Sequence, residues 1–146
     1  MCIQDLHAGK RLQTERLGTI GDHASGPALQ RMFQEEIARA GAQAERLVDL
    51  GVNVEGPRNL WMSGILDDAE RDTRSVEPGP LLDVALIGAV RKAKASEIVS
   101  SETAIALAEA LDMSNFRAAV HANHAEERDT DRALRALLIA AVQTRC

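Results

Sequence analysis

The spacing of the apolar residues constrains the fold of this chain more than any other feature. Apolar side chains recur every three or four residues through four long segments, and glycine or proline punctuates the gaps between them. This period is typical of amphipathic helices, since it places the apolar side chains on one face. Aromatic residues make up only 2% of the sequence, so the core is expected to be aliphatic. Such a core suits closely packed helices and argues against a β sandwich or barrel.

The bounds of the helices follow from the residues that begin and end them. Pro27 suits the first turn of the second helix, Gly51 suits a C-terminal stop, and Ser114 suits the N-cap of the last helix. Between the second and third long helices, the apolar spacing around Trp61 predicts a short amphipathic helix. The long helices are predicted over about residues 3–21, 27–50, 81–111 and 115–143, with a connection over 51–80.

The lengths of the connections predict how the helices are arranged. Short loops join the first helix to the second and the third to the fourth, and such loops make antiparallel neighbours. The connection over 51–80 is long enough to run the full length of a bundle. Two helical hairpins joined by one long crossover form the ferritin-like arrangement. We therefore predict an all-α, ferritin-like four-helix bundle that forms a single domain over residues 1–146.

Composition and charge argue against several classes of function. The net charge of −5 disfavours nucleic-acid binding, which requires a basic surface. No apolar run approaches the length of a membrane span, and the first ten residues lack the apolar centre of a secretion signal. Cys2 and Cys146 lie at opposite ends of the chain and are interpreted as two reduced thiols. We expect a cytoplasmic protein that binds neither nucleic acid nor membrane.

Charged residues lie on the buried faces of three predicted helices. Lys94 is three residues before Glu97 and at core spacing from Ile87 and Ile98. Helical bundles build metal and cofactor sites from inward-facing residues of this kind. The predicted polar layer consists of Glu36, Lys94, Glu97, Glu126 and Glu127, with Gln43 as a further candidate.

Three interpretations of the predicted polar layer are open. In the first, Lys94 pairs with the carboxylates, and the layer is structural and holds neither metal nor cofactor. In the second, the glutamates hold a residual or rearranged metal site. In the third, a small error in helix phase leaves all of these residues on solvated faces.

The lysine favours the structural interpretation. A di-iron site in a bundle uses glutamates from two helices and Glu-x-x-His motifs from the other two, and the sequence contains no Glu-x-x-His. At ~4 Å, two like unit charges repel by about 4 kcal/mol at an effective dielectric constant near 20, and the repulsion scales with the valence of a metal ion. The simplest inference is that the ammonium group of Lys94 replaces the metal as the counter-charge.

Other clusters of polar residues have plainer interpretations. His121, His124 and Glu127 share a helical face and suit one metal ion, but no further ligand is evident, so we expect both histidines at the solvent edge. The acidic group within residues 67–72 lacks the spacing of a calcium loop and is expected to be a solvated face. Trp61 either packs the crossover helix onto the bundle or anchors a partner or second subunit.

Several stretches of the chain resemble the YciE/YciF family of ferritin-like bacterial stress proteins. Together these six stretches touch all four long helices, and the third and the last in chain order are the most specific. The matching stretches are residues 5–12, 42–47, 83–89, 96–98, 107–111 and 126–134. This resemblance implies a ferritin-like bundle, usually dimeric, with inward carboxylates and histidines for a possible di-iron site.

The chain departs from the family pattern where that pattern places metal ligands. Gly9 stands where the resemblance implies an acidic residue, and Glu36 stands where it implies histidine. Arg39 replaces an acidic residue one turn later, and the pair Lys94-Ala95 replaces Glu-His. The remaining glutamates are Glu97, Glu126 and Glu127. The resemblance therefore implies the fold together with a degenerate ligand set.

These observations lead to three functional hypotheses. The leading one is a non-catalytic, stress-associated bundle that acts by self-association as a homodimer or by binding a protein partner. The alternative is an iron-binding oxidoreductase, or an oxygen- or peroxide-scavenging protein, that uses the remaining inward carboxylates. The third is a small-molecule-binding bundle with a pocket where Gly9 leaves volume free. We assign no catalytic or cofactor-binding residue, because the sequence contains neither a nucleophile elbow nor a phosphate-binding loop.

Overall fold

The computed structural model describes residues 1–143, and within them it contains five helices and no strand. The helices are α1 (Cys2–Gly21), α2 (Pro27–Val48), α3 (Leu60–Ser75), α4 (Pro80–Ala110) and α5 (Ser114–Gln143). The four long helices begin and end within two residues of the predicted bounds, and α3 is longer than the short helix expected in the crossover. The predicted all-α, ferritin-like bundle is confirmed.

The four long helices α1, α2, α4 and α5 pack around a common centre, so that each has two neighbours and faces one helix across the bundle. The hairpin of α1 and α2 lies against the hairpin of α4 and α5, with α1 next to α4 and α2 next to α5. As a result α1 faces α5 across the centre of the bundle, and α2 faces α4. The crossover helix α3 packs on the outside, against α1 and α4. Side chains from all four long helices can therefore meet at the centre.

Two apolar clusters fill the bundle, one on each side of a polar layer. The larger cluster contains Leu17, Phe33, Leu86 and Leu134, together with buried residues of α3. The smaller cluster consists of Leu6, Leu47, Ala104 and Val120. On every long helix the buried polar residues, except Asp83 of α4, fall between the residues of these two clusters. The polar layer is thus enclosed at both ends by aliphatic side chains.

Asp83 of α4 fixes the loop between α1 and α2. Its carboxylate accepts hydrogen bonds from the backbone N–H groups of Ser25 and Gly26, at 2.8 and 2.9 Å, and from the Ser25 hydroxyl at 2.8 Å. Gly26 precedes Pro27, the first residue of α2, and no side chain of its own loop caps that helix. The Asp83 carboxylate therefore satisfies donors at the start of α2 from another helix.

The crossover is attached to the start of α1 by Asn59 and Trp61. Asn59 caps α3 by accepting a hydrogen bond from Met62 N at 2.8 Å, and its Nδ2 donates to Asp5 O at 2.8 Å. Trp61 Nε1 donates to Asp5 Oδ2 at 2.9 Å, and the ring packs against the larger apolar cluster. Of its two predicted roles, Trp61 performs the first, which is packing α3 onto the bundle.

Gly9 does not open a pocket between the hairpins, contrary to the third functional hypothesis. A Cβ atom at Gly9 would lie 3.0 Å from Asn59 Nδ2 and 3.7 Å from the ring of Trp61. The volume freed by the missing side chain is filled by the first turn of α3. None of the helices within residues 1–143 is both long and apolar enough to cross a membrane.

Candidate functional site

The candidate site is a buried set of charged and amide side chains at the centre of the bundle. We call it the lysine–glutamate layer. It consists of Lys10 and Gln13 from α1, Glu36 from α2, Lys94 and Glu97 from α4, and Glu127 from α5. All six residues are at most 2% exposed. Each lies on the inward stripe of its helix, between the buried residues of the two apolar clusters.

Lys94 connects carboxylates from three helices. Its Nζ atom contacts the carboxylate of Glu36, and it lies 3.0 Å from Glu97 Oε2 and 2.8 Å from Glu127 Oε2. It also donates a hydrogen bond to Gln13 Oε1 at 2.9 Å. The ammonium group therefore has more acceptors around it than it has protons, and it is wholly inside the protein.

Lys10 is a second buried ammonium group, and it was not predicted from the sequence. Its Nζ atom contacts the carboxylate of Glu127 and lies 2.8 Å from Glu97 Oε1. The signal was present in the period of α1, because Lys10 lies four residues after Leu6 and seven before Leu17. Both leucines are buried, whereas Leu12, two residues after Lys10, is only half-buried.

The two lysines join the helices that face each other diagonally. Lys94 of α4 reaches Glu36 of α2, and Lys10 of α1 reaches Glu127 of α5. Glu97 lies between them and contacts both ammonium groups. Such contacts require long side chains, because diagonal helices in a four-helix bundle are further apart than neighbours. The layer consequently specifies which helix lies opposite which.

Arg39 completes the charge balance at the rim of the layer. Its guanidinium donates to Glu36 Oε2 at 2.8 Å, and its side chain is 31% exposed. With Arg39 included, three positive groups stand against the three carboxylates of Glu36, Glu97 and Glu127. A balanced charge count is what a buried ionic cluster requires, because an unpaired buried charge is strongly destabilising.

The buried groups shift one another's protonation. Burial works to lower the pKa of Lys94, but the carboxylates of Glu97, Glu127 and Glu36 outweigh it and raise the pKa above its ordinary value. Burial raises the pKa of Glu97 to about 7 despite the attraction of Lys10 and Lys94. For Glu127 the same two ammonium groups prevail over burial and hold the pKa below its usual range. Glu97 is thus the carboxyl group of this pair that more readily keeps a proton.

Glu126 and Gln43, which the predicted polar layer included, lie outside the lysine–glutamate layer. The Glu126 side chain is 36% exposed, and it pairs with Arg46 at 2.9 Å and with Gln43 Nε2 at 2.8 Å. Gln43 is buried but contacts Glu126 instead of the lysines. The reason is helical phase, since adjacent residues project about 100° apart and only Glu127 of the Glu126-Glu127 pair points inward.

The remaining candidates are dispersed over the surface. His121 is exposed, and His124 Nε2 lies 3.1 Å from Glu102 Oε1, so these histidines do not converge with Glu127. The acidic group of residues 67–72 forms salt bridges with Arg16, Arg71 and Lys92, as a solvated face would. Cys2 is a half-buried free thiol, whereas Cys146 lies outside the described residues.

The donor set of the layer does not fit a di-iron centre. Its three carboxylates are already engaged by two ammonium groups at hydrogen-bonding distance, and no histidine is among its members. Within the described residues, no three or more histidine, cysteine or acidic side chains are grouped so as to hold a metal ion. An ion placed here would meet the repulsion of Lys10 and Lys94 at close range.

Comparison with protein families matches residues 2–146 to a family described as "Domain of unknown function (DUF892)". The chain belongs to this family. Protein YciF of Escherichia coli strain K12 is 24% identical over 134 residues, covering 88% of this chain and 81% of YciF. The predicted resemblance to the YciE/YciF family is confirmed.

Solved structures show the same fold. The crystal structure of the E. coli stress protein YciF aligns with a TM-score of 0.92 over 97% of this chain and 92% of YciF, at 24% identity. YcfI of Rhodopseudomonas palustris aligns with a TM-score of 0.86 at 21% identity, covering 92% of this chain and 88% of YcfI. The helical bundle with its crossover is therefore shared, although about three quarters of the residues differ.

Proposed function

We propose that this protein is a non-catalytic structural bundle in which two ammonium groups take the place of a di-iron centre. The observation that carries the proposal is the pair of buried lysines, Lys10 and Lys94, between Glu36, Glu97 and Glu127. Two cations hold inward carboxylates together, as two metal ions would, but ammonium groups offer neither an open coordination position nor redox chemistry.

The layer suits a scaffold because it fixes the arrangement of helices. Burying charged groups costs desolvation, so such a cluster adds little net stability compared with an apolar core. What it supplies is specificity: any change in helix register would separate Lys94 from Glu36 or Lys10 from Glu127 and leave charges unpaired. This device therefore favours one packing of the four helices over its alternatives.

The relatives support a stress-associated, structural role. YciF is described as a stress protein, and a structural role has been suggested for YcfI. We propose that the present chain has a similar role, in the cytoplasm, and that it acts by association with a second copy of itself or with another protein.

The outer face of α4 is the proposed surface for self-association. A stripe of small and apolar residues runs along this helix, with Lys92 within it and Glu102 at its edge. Leu81 and Val99 are 62% and 63% exposed, and Ala95 and Ala106 are exposed between and beyond them. A helix of 31 residues with such a stripe offers a long, flat contact in which two backbones can approach closely.

Metal analysis tests the proposed function. We expect protein purified without chelator to contain only traces of transition metal, and we expect titration with Fe²⁺ in air to give the same oxidation rate as buffer. The matched variant is Lys10→Glu combined with Lys94→His, which replaces both ammonium groups by ligands; it should bind Co²⁺ or Fe²⁺ where the wild type does not. Wild-type protein holding one or more irons per chain would refute the proposal.

A catalysed oxidation would point to the alternative function. If the wild type oxidised Fe²⁺ or consumed peroxide, and Glu97→Ala abolished that activity, the protein would be a di-metal oxidoreductase using the inward glutamates. The control for this measurement is Glu102→Ala, since Glu102 is an exposed glutamate on the same helix.

A further inference from the structure

Gln13 and Lys94 are a carboxamide and an amine in direct contact inside the bundle. Lys94 Nζ lies 2.9 Å from Gln13 Oε1, and both side chains are fully buried. Glu97 contacts both of them: its Oε2 is 3.0 Å from Lys94 Nζ, and its Oε1 accepts a hydrogen bond from Gln13 Nε2 at 2.6 Å. A carboxyl group that touches an amine with one oxygen and an amide nitrogen with the other is placed to move a proton between them.

We propose that the protein forms an intramolecular amide cross-link between Lys94 and Gln13, with Glu97 as the acid–base group. Lys94 Nζ attacks Cδ of Gln13, the Nζ–Cδ bond forms, and the Cδ–Nε2 bond breaks to release ammonia. The ammonium group of Lys94 gives up two protons in all. One is delivered through Glu97 to the leaving nitrogen, and Glu97 keeps the other, so the step needs neither an oxidant nor a cofactor.

Gln13 is the acyl donor, although Lys94 also contacts the carboxylates of Glu36 and Glu127. Attack on an ionised carboxylate would add negative charge to a group that already carries it, and an oxide ion would have to leave. The neutral carboxamide has neither obstacle once its nitrogen is protonated. Because Glu97 Oε1 contacts that nitrogen, the leaving group is the atom that the acid can reach.

The lysine–glutamate layer contains the group that must accept a proton from Lys94 before the amide bond can form. The neutral amine of Lys94 is the nucleophile, and it arises when the ammonium group passes a proton to Glu97 across 3.0 Å. Burial raises the pKa of Glu97 to about 7, so this carboxyl group is the natural recipient. The surrounding carboxylates favour the ammonium form of Lys94, which makes the reaction slow. One turnover per molecule is sufficient, however, and the folded protein holds the reactants together throughout.

The charges of the layer remain balanced after the bond forms. Lys94 becomes a neutral amide and Glu97 a neutral acid, while Lys10 and Arg39 still face Glu36 and Glu127. The bond would also join α1 to α4 across 81 residues of sequence. A covalent link that closes so long a loop restricts the unfolded chain, as a disulfide does.

The intact mass of the full-length protein tests the proposal. After allowance for removal of Met1, we expect a mass lower than that of the sequence by one ammonia, about 17 Da. A mass equal to that of the sequence would overturn the proposal. Loss of one water in place of ammonia would mean that a carboxylate is the acyl donor, and this too would overturn the assignment to Gln13.

Peptide mapping and variants locate the bond. Trypsin should release a branched product in which residues 12–16 are joined to residues 93–117, because Lys94 is no longer a cleavage site. Gln13→Met and Lys94→Met should each have the mass of their sequence, and ammonia loss that persists in either would contradict the assignment. Glu97→Gln should reduce the cross-linked fraction at a fixed incubation time by tenfold or more; an unchanged fraction would refute the role of Glu97.

The cross-link would leave Lys10 as the remaining ammonium group of the layer, so it modifies the proposed function, but the two proposals are tested by different measurements. The proposed function concerns metal binding and iron oxidation, whereas the cross-link is read from mass under denaturing conditions, where variants that fold poorly are still measurable. An amide nitrogen at Lys94 is no better a ligand than an ammonium group, so either proposal can fail while the other stands.

Discussion

Each buried lysine contacts carboxylates on at least two other helices, so its charge interacts with several parts of the bundle. Lys94 alone reaches Glu36, Glu97 and Glu127, and Lys10 reaches the last two of these. Within such a cluster the loss of one charge is felt by several partners at once. Single substitutions in the layer are therefore sensitive probes of how it works.

Removal of Lys94 should be strongly destabilising. We expect Lys94→Ala to lower the free energy of unfolding by roughly 3–5 kcal/mol, because buried carboxylates then lack a counter-charge. Urea denaturation followed by far-ultraviolet circular dichroism measures the change. The control is Lys92→Ala, an exposed lysine two residues away, with an expected change within about 0.5 kcal/mol.

A charge-neutral double variant separates charge from packing. Lys94→Met combined with Glu97→Gln removes one charge of each sign and should be much milder than Lys94→Ala. If Lys94→Ala were as stable as Lys92→Ala, the ion pairs of Lys94 would contribute nothing to the fold.

The protonation of Glu97 should make stability depend on pH. Because its pKa in the folded protein is raised to about 7, the folded state keeps a proton that the unfolded chain releases near its ordinary pKa of about 4.5. The stabilisation from this group is fully present below about pH 4.5 and is lost as the pH rises through about 7. We expect the free energy of unfolding of the wild type, relative to Glu97→Gln, to fall by on the order of 1 kcal/mol between pH 5 and pH 7.5.

Paired urea titrations of the wild type and Glu97→Gln at each pH provide this measurement. Taking the difference between the two proteins cancels the contributions of the other ionisable groups. A difference that grew with pH would mean that Lys10 and Lys94 outweigh burial at Glu97.

The helices themselves were predictable, whereas the contacts of the crossover were not. The spacing of apolar residues predicted the long helices, because the apolar period and the glycine and proline residues that interrupt it are local properties of the chain. The first turn of α3 packs against Gly9 and Asp5, some fifty residues earlier, and no local pattern encodes such a contact. Lys10 was detectable from the period of α1, because it lies in phase with the buried residues Leu6 and Leu17.

Because Gly9 packs closely against α3, we expect any larger side chain at this position to lower the stability of the protein. We expect Gly9→Leu to lower the free energy of unfolding by about 1–3 kcal/mol, because Asn59 is held by two hydrogen bonds and cannot move aside freely. The control is Gly64→Ala within α3, where a Cβ meets nothing within 4 Å; it should raise stability by about 0.5–1 kcal/mol.

Thermal denaturation and hydrogen exchange of α3 distinguish the two variants. Gly9→Leu should increase exchange of the α3 amides more than those of α5, since the crossover helix is the element displaced. An equal increase in amide exchange in all helices would indicate that Gly9→Leu disturbs the whole core. It would contradict the explanation that α3 alone is displaced.

At the scale of the whole molecule, the proposed function gives separate roles to the buried layer and to the exposed face of α4. In this proposal the layer fixes the arrangement of the four helices, and the exposed stripe of α4 is the surface for association. The identity of the layer was partly predictable, because Glu36, Lys94, Glu97 and Glu127 lie in phase with apolar neighbours. Whether Glu126 or its neighbour Glu127 points into the layer depends on the rotation of α5 about its axis, and apolar periodicity does not fix that rotation closely enough.

The proposed association through α4 leads to a prediction for the whole molecule. If two copies meet along the stripe, Val99→Glu places a carboxylate from each copy at the centre of an apolar contact, where desolvation and repulsion both oppose association. We expect the wild type to sediment as a dimer at micromolar concentrations and Val99→Glu to sediment as a monomer with an unchanged circular dichroism spectrum. Gln34→Glu adds the same charge to an exposed position on α2 and should remain dimeric. A monomeric wild type, or a Val99→Glu protein that dimerises as tightly as Gln34→Glu, would exclude this face as the contact, because the substitution lies on its most exposed apolar side chain.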